Sequence, residues 1–170
     1  TPQSTICSGL NAMTRSQTLR QGLERYYAEN PDFVRDRDLQ VGWINVPWRD
    51  LQRHDIMHVV TGYSTAIDDE MRLIGFLLTA LTRRRPWTYY LQSLGVLAEV
   101  LWRACWHRTV GSARVYRPDE ILRFYITGVR QGLTVRPAID AYIDPATVLD
   151  QDLDTLRQQY GIANAGAWDV

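Results

Sequence analysis

The chain has 170 residues, 45% of them hydrophobic and 22% charged, which is long enough for one sizeable core and too apolar for wholesale disorder. Formal charge is zero and all nineteen basic residues are arginine, so Schiff-base chemistry and any other role for a catalytic lysine amine are excluded. Cys7 and Cys105 lie too far apart in sequence to suggest a disulfide framework, and the longest uncharged apolar run, LIGFLLTAL from Leu73, falls well short of the ~20 residues that span a bilayer.

Residues 1–12 are polar and aperiodic, a loose lead-in to a single domain over residues 1–170. The start at Thr1 and the absence of acids before Glu24 are compatible with a trimmed targeting segment. TRSQTLRQGLERYYAEN places Leu19, Leu23 and Tyr26/Tyr27 at helical spacing and stops at Asn30-Pro31. NPDFVRDRDLQVGWINVPWRD, rich in proline, glycine and charge, reads as irregular with one short helical turn. WRDLQRHDIMHVVTG follows a helical period through Trp48, Leu51, Met57 and Val60, and Gly62 suits the left-handed residue that ends a helix.

Ser64 or Thr65 can cap the next helix, with Asp68, Asp69 and Glu70 in its first turn, where the helix dipole favours acids. This helix runs through MRLIGFLLTALT, apolar almost all round, until RRRPW breaks it. TYYLQSLGVLAEVLWRACWHRT is a second long apolar helix. RPDEILRFYITGVRQGL starts with Pro118 in its first turn, and ATVLDQDLDTLRQQYG makes one more helix ending at Gly161. No run shows sustained period-two alternation. The fold class is therefore all-α, a bundle of about six or seven helices.

Charge is uneven. Ten arginines from Arg83 to Arg136 face only Glu99, Asp119 and Glu120, whereas six aspartates from Asp140 onward face only Arg157. Two offsetting solvated faces explain this, as does a basic surface for anionic lipid. Zero net charge and the lack of a binding motif give nucleic acid no support.

HDIMHVVTGYSTAIDDE carries two of the three histidines four residues apart, with Asp55 between them. At about 100° per residue, His54, Asp55 and His58 share one helical arc. Twelve residues of unbroken helix would carry Glu70 about 18 Å away. Gly62 and a fresh cap turn the chain between them, so Glu70 can return to the histidines. Two imidazoles and two carboxylates suit zinc best among divalent metals, with iron, manganese and cobalt as alternatives. Asp55 is also the candidate catalytic group, since it stands where H-E-x-x-H zinc hydrolases carry their glutamate base. It is one methylene shorter, and Ile56 and Met57 supply no other acid, which argues against protease chemistry. His107, in CWHR, lacks such partners and reads as structural.

The spacing His54-Asp55-x-x-His58-(x11)-Glu70 resembles the metal motif of the COQ4 family of ubiquinone-biosynthesis proteins. WRDLQRHDIMHVVTGY resembles that family's approach to the motif, Gly62 and Tyr63 included. GVRQGL, at residues 128–133, loosely resembles its glycine- and arginine-containing C-terminal helix. Asp69 departs from the family, which tends to carry glycine before the motif glutamate. The resemblance implies a helical domain with His54, Asp55, His58 and Glu70 as metal ligands. It implies peripheral contact with the cytoplasmic face of a membrane, or with the matrix side of the mitochondrial inner membrane in a eukaryote. It further implies a polyprenyl lipid or prenylated quinone precursor as ligand, and other quinone-biosynthesis enzymes as partners.

Two roles follow from it. One is metal-assisted oxidative decarboxylation at ring carbon one of a polyprenylated hydroxybenzoate; the other is a non-catalytic scaffold that presents such precursors. A prenyl tail needs an apolar groove, and Leu73, Phe76, Leu77, Leu97 and Leu101 are candidate walls. Arg83, Arg84 and Arg85, beside Trp87, Tyr89 and Tyr90, form a candidate phosphate or headgroup site. The six tryptophans and apolar helices also suit a homodimer.

Overall fold

Capping decides where the first helix begins. In a computed structural model, which describes residues 17–41, 44–106 and 115–169, the Thr18 hydroxyl accepts from the Gln21 N–H while the Gln21 side chain accepts from the Thr18 N–H. This reciprocal box starts α1 (Leu19–Glu29), which stops at Asn30 before proline. Leu19, Leu23, Tyr26 and Tyr27 form its buried face.

The segment expected to be irregular is so over residues 30–38, but beyond them it forms a short antiparallel ribbon. In it β1 (Leu39–Val41) pairs with β2 (Ile44–Val46), and Leu39 lies opposite Val46. Three-residue strands are too short for alternation to show in sequence.

Helix α2 (Trp48–Thr61) ends at Gly62, whose φ of 71° is the left-handed conformation glycine adopts without strain. A side chain there would also strike Asn164 and the backbone of Ala165 and Gly166. Gly62→Ala is therefore expected to cost more than about 1 kcal/mol. Thermal unfolding should read this as a midpoint lower by several degrees.

Helix α3 (Ile67–Ala80) starts later than the expected Ser64 or Thr65 cap. Ala66 holds the cap position, and neither predicted hydroxyl caps the helix. Leu81 and Thr82 leave the helix, and the Thr82 N–H donates to the Ile139 carbonyl. The helix packs against α5 (Pro118–Gly132) at close range because Gly75, Gly128 and Gly132 present no side chains at the crossing. A Cβ on any of the three would collide with the facing helix's backbone.

Helix α4 (Trp87–Cys105) covers α3 and α5 on one side, burying Leu97, Val100 and Ala104 with Met71, Ile121 and Tyr125. The last expected helix is two. Asp144 caps α6 (Pro145–Val148), and Asp152 caps α7 (Leu153–Tyr160) by accepting from the Thr155 N–H. Two capping aspartates eight residues apart restart the helix where sequence periodicity runs on.

The main core joins α1, α2, α3 and α7 through Leu19, Tyr26, Ile56, Val59, Leu73 and Leu153, all essentially inaccessible. The architecture is all-α, with seven helices among the described residues and the small ribbon at one edge. Among those residues no helix is long and apolar enough to cross a membrane. The lead-in at 1–12, Cys7 and His107 fall outside the described residues.

Candidate metal centre

The break at Gly62 brings the first turn of α3 back beside the last turns of α2. His58 Nε2 lies 3.2 Å from His54 Nε2 and 3.1 Å from Glu70 Oε1, and His54 Nε2 lies 3.5 Å from Glu70 Oε2. Ligands about 2.0–2.1 Å from one ion sit about 3.0 Å apart at octahedral corners and about 3.3 Å apart at tetrahedral ones. The two imidazoles and the Glu70 carboxylate, each nitrogen facing a different carboxylate oxygen, thus lie at separations close to these, and their donor chemistry fits a divalent cation.

The ring of His58 is buried, and its Nδ1 lies 3.1 Å from the Tyr63 carbonyl oxygen. A carbonyl only accepts, so Nδ1 carries a proton, and in the neutral ring Nε2 is left as the ligand atom facing His54 and Glu70. Tyr26 stacks on the same ring, with centroids 5.5 Å apart.

Burial alone would lower the basicity of His54, but the hydrogen bond to Glu70, its charge and that of Asp55 raise it above the ordinary 6.5. For Glu70 burial pushes upward, and the two imidazoles reverse this, holding the carboxyl well below the usual range. A proton on His54 thus offsets the charge of Glu70 within the cluster. Its stabilisation is complete below the unfolded value of 6.5 and is lost as pH rises through the raised native value. The contribution of Glu70 is present above 4.5 and is lost as pH falls toward its depressed native value. The pair therefore contributes most between 4.5 and 6.5. Metal uptake at pH 6.5 is expected to release about one proton per ion, falling toward none well above the native value of His54. Calorimetric titration in buffers of different ionisation heat measures this.

Asp55, expected as a fourth ligand and as the catalytic group, does not join the triad. Its two oxygens accept from the hydroxyls of Tyr26 at 3.0 Å and Tyr27 at 2.9 Å, and it is buried against α1. It sits about 60° around α2 from His58 and about 100° from His54, at the edge of the arc that faces α1. Sequence spacing placed it within reach of an ion, but the tyrosine pair claims it. Burial raises its pKa against the opposing histidines and tyrosine hydrogen bonds.

Asp69 has a local task. Its Oδ2 accepts from the Ser64 N–H at 2.9 Å and from the Ser64 hydroxyl at 2.7 Å, and its Oδ1 pairs with Arg72. The extra charge beside Glu70 is thus engaged in holding the turn between α2 and α3.

A cavity of about 280 Å³ adjoins the triad through His54, while His58 and Glu70 stand outside its lining. Its wall is mainly apolar, with Met57, Ile74, Leu77, Leu81, Val96 and Ile139. Of the five predicted wall residues only Leu77 lines it. Leu73 and Phe76 belong to the main core, and Leu97 and Leu101 pack in the cluster beneath α4. Leu73 and Phe76 turn toward α1 and α2, a direction helical spacing alone does not reveal.

The arginine run divides. Arg83 and Arg84 are exposed, Arg84 lying 3.8 Å from Asp140. Arg85 is no free headgroup fork, because its guanidinium pairs with Asp50 at 2.9 Å, donates to the Ala141 carbonyl and covers the Tyr142 ring. Trp87, Leu91, Leu94, Ala98 and Trp102 are all exposed and fall within about 80° of arc on α4.

Comparison of the chain with models of known protein families and with curated protein sequences gives no match.

Proposed function

We propose that this protein holds one divalent metal ion on His54, His58 and Glu70 and acts on a polyprenylated ring compound of the ubiquinone or prenylquinone class. The supporting observation is the triad, whose donor atoms lie at ligand-like separations and whose His58 ring is held through Nδ1 on the Tyr63 carbonyl. With Asp55 withheld by the tyrosines, three protein ligands leave the ion positions for water or substrate, the pattern of catalytic rather than structural sites. This favours the enzyme reading over the scaffold, and the resemblance of the His54-to-Glu70 motif to the COQ4 family names the reaction class as metal-assisted oxidative decarboxylation at ring carbon one, with a two-electron oxidant such as dioxygen as co-substrate. Zinc fits the donor set best, with iron, manganese and cobalt as alternatives.

A bound ion would supply Lewis-acid polarisation of the substrate's carboxylate or phenolate oxygen. The chain's own residues do the rest. Tyr63 and Tyr26 hold His58, and Leu77, Met57 and Ile74 receive apolar substrate beside His54. At about 280 Å³ the cavity is near the lower limit of small-molecule sites, so it accommodates a head group or a few prenyl units rather than a whole polyprenyl tail. The exposed apolar stripe on α4, with Arg83 and Arg84 before its first turn, suits an anionic membrane surface in which the remaining tail stays dissolved.

The test combines elemental analysis, lipid extraction and turnover. The purified protein is expected to carry a divalent ion and co-extracted isoprenoid, and to decarboxylate a short-chain prenylated hydroxybenzoate. Glu70→Ala should lose ion and turnover while keeping isoprenoid. No turnover by native protein that carries isoprenoid would leave only the scaffold role, turnover unchanged in Glu70→Ala would contradict catalysis at the triad, and absence of both ion and isoprenoid from the native protein would end the proposal.

A further inference from the structure

Behind the triad lies a segment that the metal reading does not use. Residues 162–169 run back along the last turn of α2, where the Ala165 N–H donates to the Thr61 carbonyl at 2.9 Å and the Ala167 N–H to the Gly62 carbonyl at 3.0 Å. These bonds form a strap across the helix terminus, and they explain why Gly62 tolerates no side chain. The far end is anchored by Asp169, which pairs with Arg157 at 2.9 Å. Arg157 in turn is buried and donates to the carbonyls of Val59 and Val60.

Between these anchors the strap inserts Trp168, 3% exposed, into the main core. Its indole Nε1–H donates to the Tyr63 carbonyl oxygen at 2.7 Å, the same oxygen that faces His58 Nδ1 at 3.1 Å. The ring also meets Tyr26 edge-on at 4.9 Å, and Tyr26 stacks on His58. Trp168 thus reaches His58 by two routes, through a shared acceptor and through a shared aromatic neighbour. The 63–64 peptide is held from its other side as well, because the Ser64 N–H is engaged by Asp69.

We propose that Trp168 is a positioning residue for the metal centre: the strap holds the Tyr63 carbonyl in place and thereby fixes His58 with its proton on Nδ1 and its Nε2 free for an ion. The proposal rests on the metal reading for its consequence, but its first link, the tautomer, is present without metal. Groups that orient a ligating imidazole through its second nitrogen typically change metal affinity 10–100-fold when lost. Trp168 acts one atom further away, at the acceptor itself, so its effect falls at the lower end.

Trp168→Phe keeps an aromatic ring in the core and removes only the indole donor. In metal-free protein, at a pH where both imidazoles are neutral, two-bond proton–nitrogen NMR correlations report the tautomer of each ring, and with only three histidines the assignment is simple. Native His58 is expected as a single Nδ1–H tautomer and Trp168→Phe as a mixture. Zn(II) affinity, measured by competition with a chromophoric chelator, should drop about tenfold, with the Co(II) absorption bands broadened. A purely structural role would lower the melting point and move neither the tautomer nor the bands. Trp168→Phe with a single Nδ1–H tautomer and Zn(II) affinity within twofold of native overturns the proposal.

Should the phenylalanine variant fail to fold, Asp169→Ala, which releases the strap's anchor without touching the indole, decides on the same readouts. A smaller loss in the same direction supports the proposal, and no change overturns it. If the native protein takes up no Zn(II) at all, the metal reading fails, while the tautomer comparison still tests the link between Trp168 and His58.

Discussion

Asp55→Ala is expected to destabilise the protein by about 3–5 kcal/mol while leaving the ion-binding residues in place. The substitution removes one carboxylate and strands two tyrosine hydroxyls, those of Tyr26 and Tyr27, which donate to it at 3.0 and 2.9 Å within the core. Each hydrogen bond to a buried charged group is worth about 1.5–3 kcal/mol, and the stranded hydroxyls add desolvation. Chemical denaturation measures the loss. Asp55→Asn is the sharper variant. Its amide can still pair with both hydroxyls, so the cost drops to about 1–2 kcal/mol. If Asp55 only supports the site from behind, metal affinity in the asparagine variant stays within about 10–100-fold of native. A larger loss would return Asp55 to the ligand set and give the site four protein donors. That distinction bears on function, because a fourth donor occupies a position that substrate or water otherwise takes.

His58→Ala carries the second large effect, and it divides differently. The ring is fully buried, one nitrogen on the Tyr63 carbonyl and the other toward His54 and Glu70. Its removal deletes one of the proposed metal donors and opens a cavity beneath Tyr26, with about 2–4 kcal/mol of stability lost by analogy with other large-to-small core changes. Metal affinity is expected to fall by more than the 100-fold that marks loss of a merely supporting group. The metal-free protein should also behave differently with pH. Without His58 one of the two imidazoles that depress Glu70 is gone, so that carboxyl titrates at a higher pH. The stabilisation it provides is then lost earlier as acid is added. Metal titration and acid unfolding of the same preparation check both halves.

Much of this was legible before any coordinates. The His54/His58 pair at helical spacing, Gly62 as a left-handed stop and Glu70 returning after a turn follow from helix geometry and from glycine's tolerance of positive φ, and all three stand in the structure. The helices were legible too, since α1, α2, α4 and α5 carry strong apolar periods and recognisable starts or stops. What sequence spacing could not supply was the competition for each side chain. Asp55 lies on the arc that could reach an ion, but its tyrosine partners sit 28 and 29 residues earlier, and only packing of α1 on α2 brings them there.

Arg85 shows the same limit. In sequence it is one of three equivalent arginines, while in space Asp50 and the Ala141 carbonyl take it out of solvent. Leu73, Phe76 and Leu77 look interchangeable as groove walls, yet all three pack in the main core and only Leu77 also borders the cavity. Trp168 was invisible for a related reason. Its partner is a backbone carbonyl 105 residues away, and nothing in the composition of the segment around it marks that contact.

In the proposed metal centre a glycine-broken pair of helices would focus two imidazoles and one carboxylate on a single cation. Native mass spectrometry of the chelator-stripped protein titrated with Zn(II), alongside Glu70→Ala, tests it most directly. One Zn(II) per chain in the native protein and none in the variant at the same concentration is the expected result. A native protein that stays metal-free, or a Glu70→Ala variant that fills as readily as native, would contradict it.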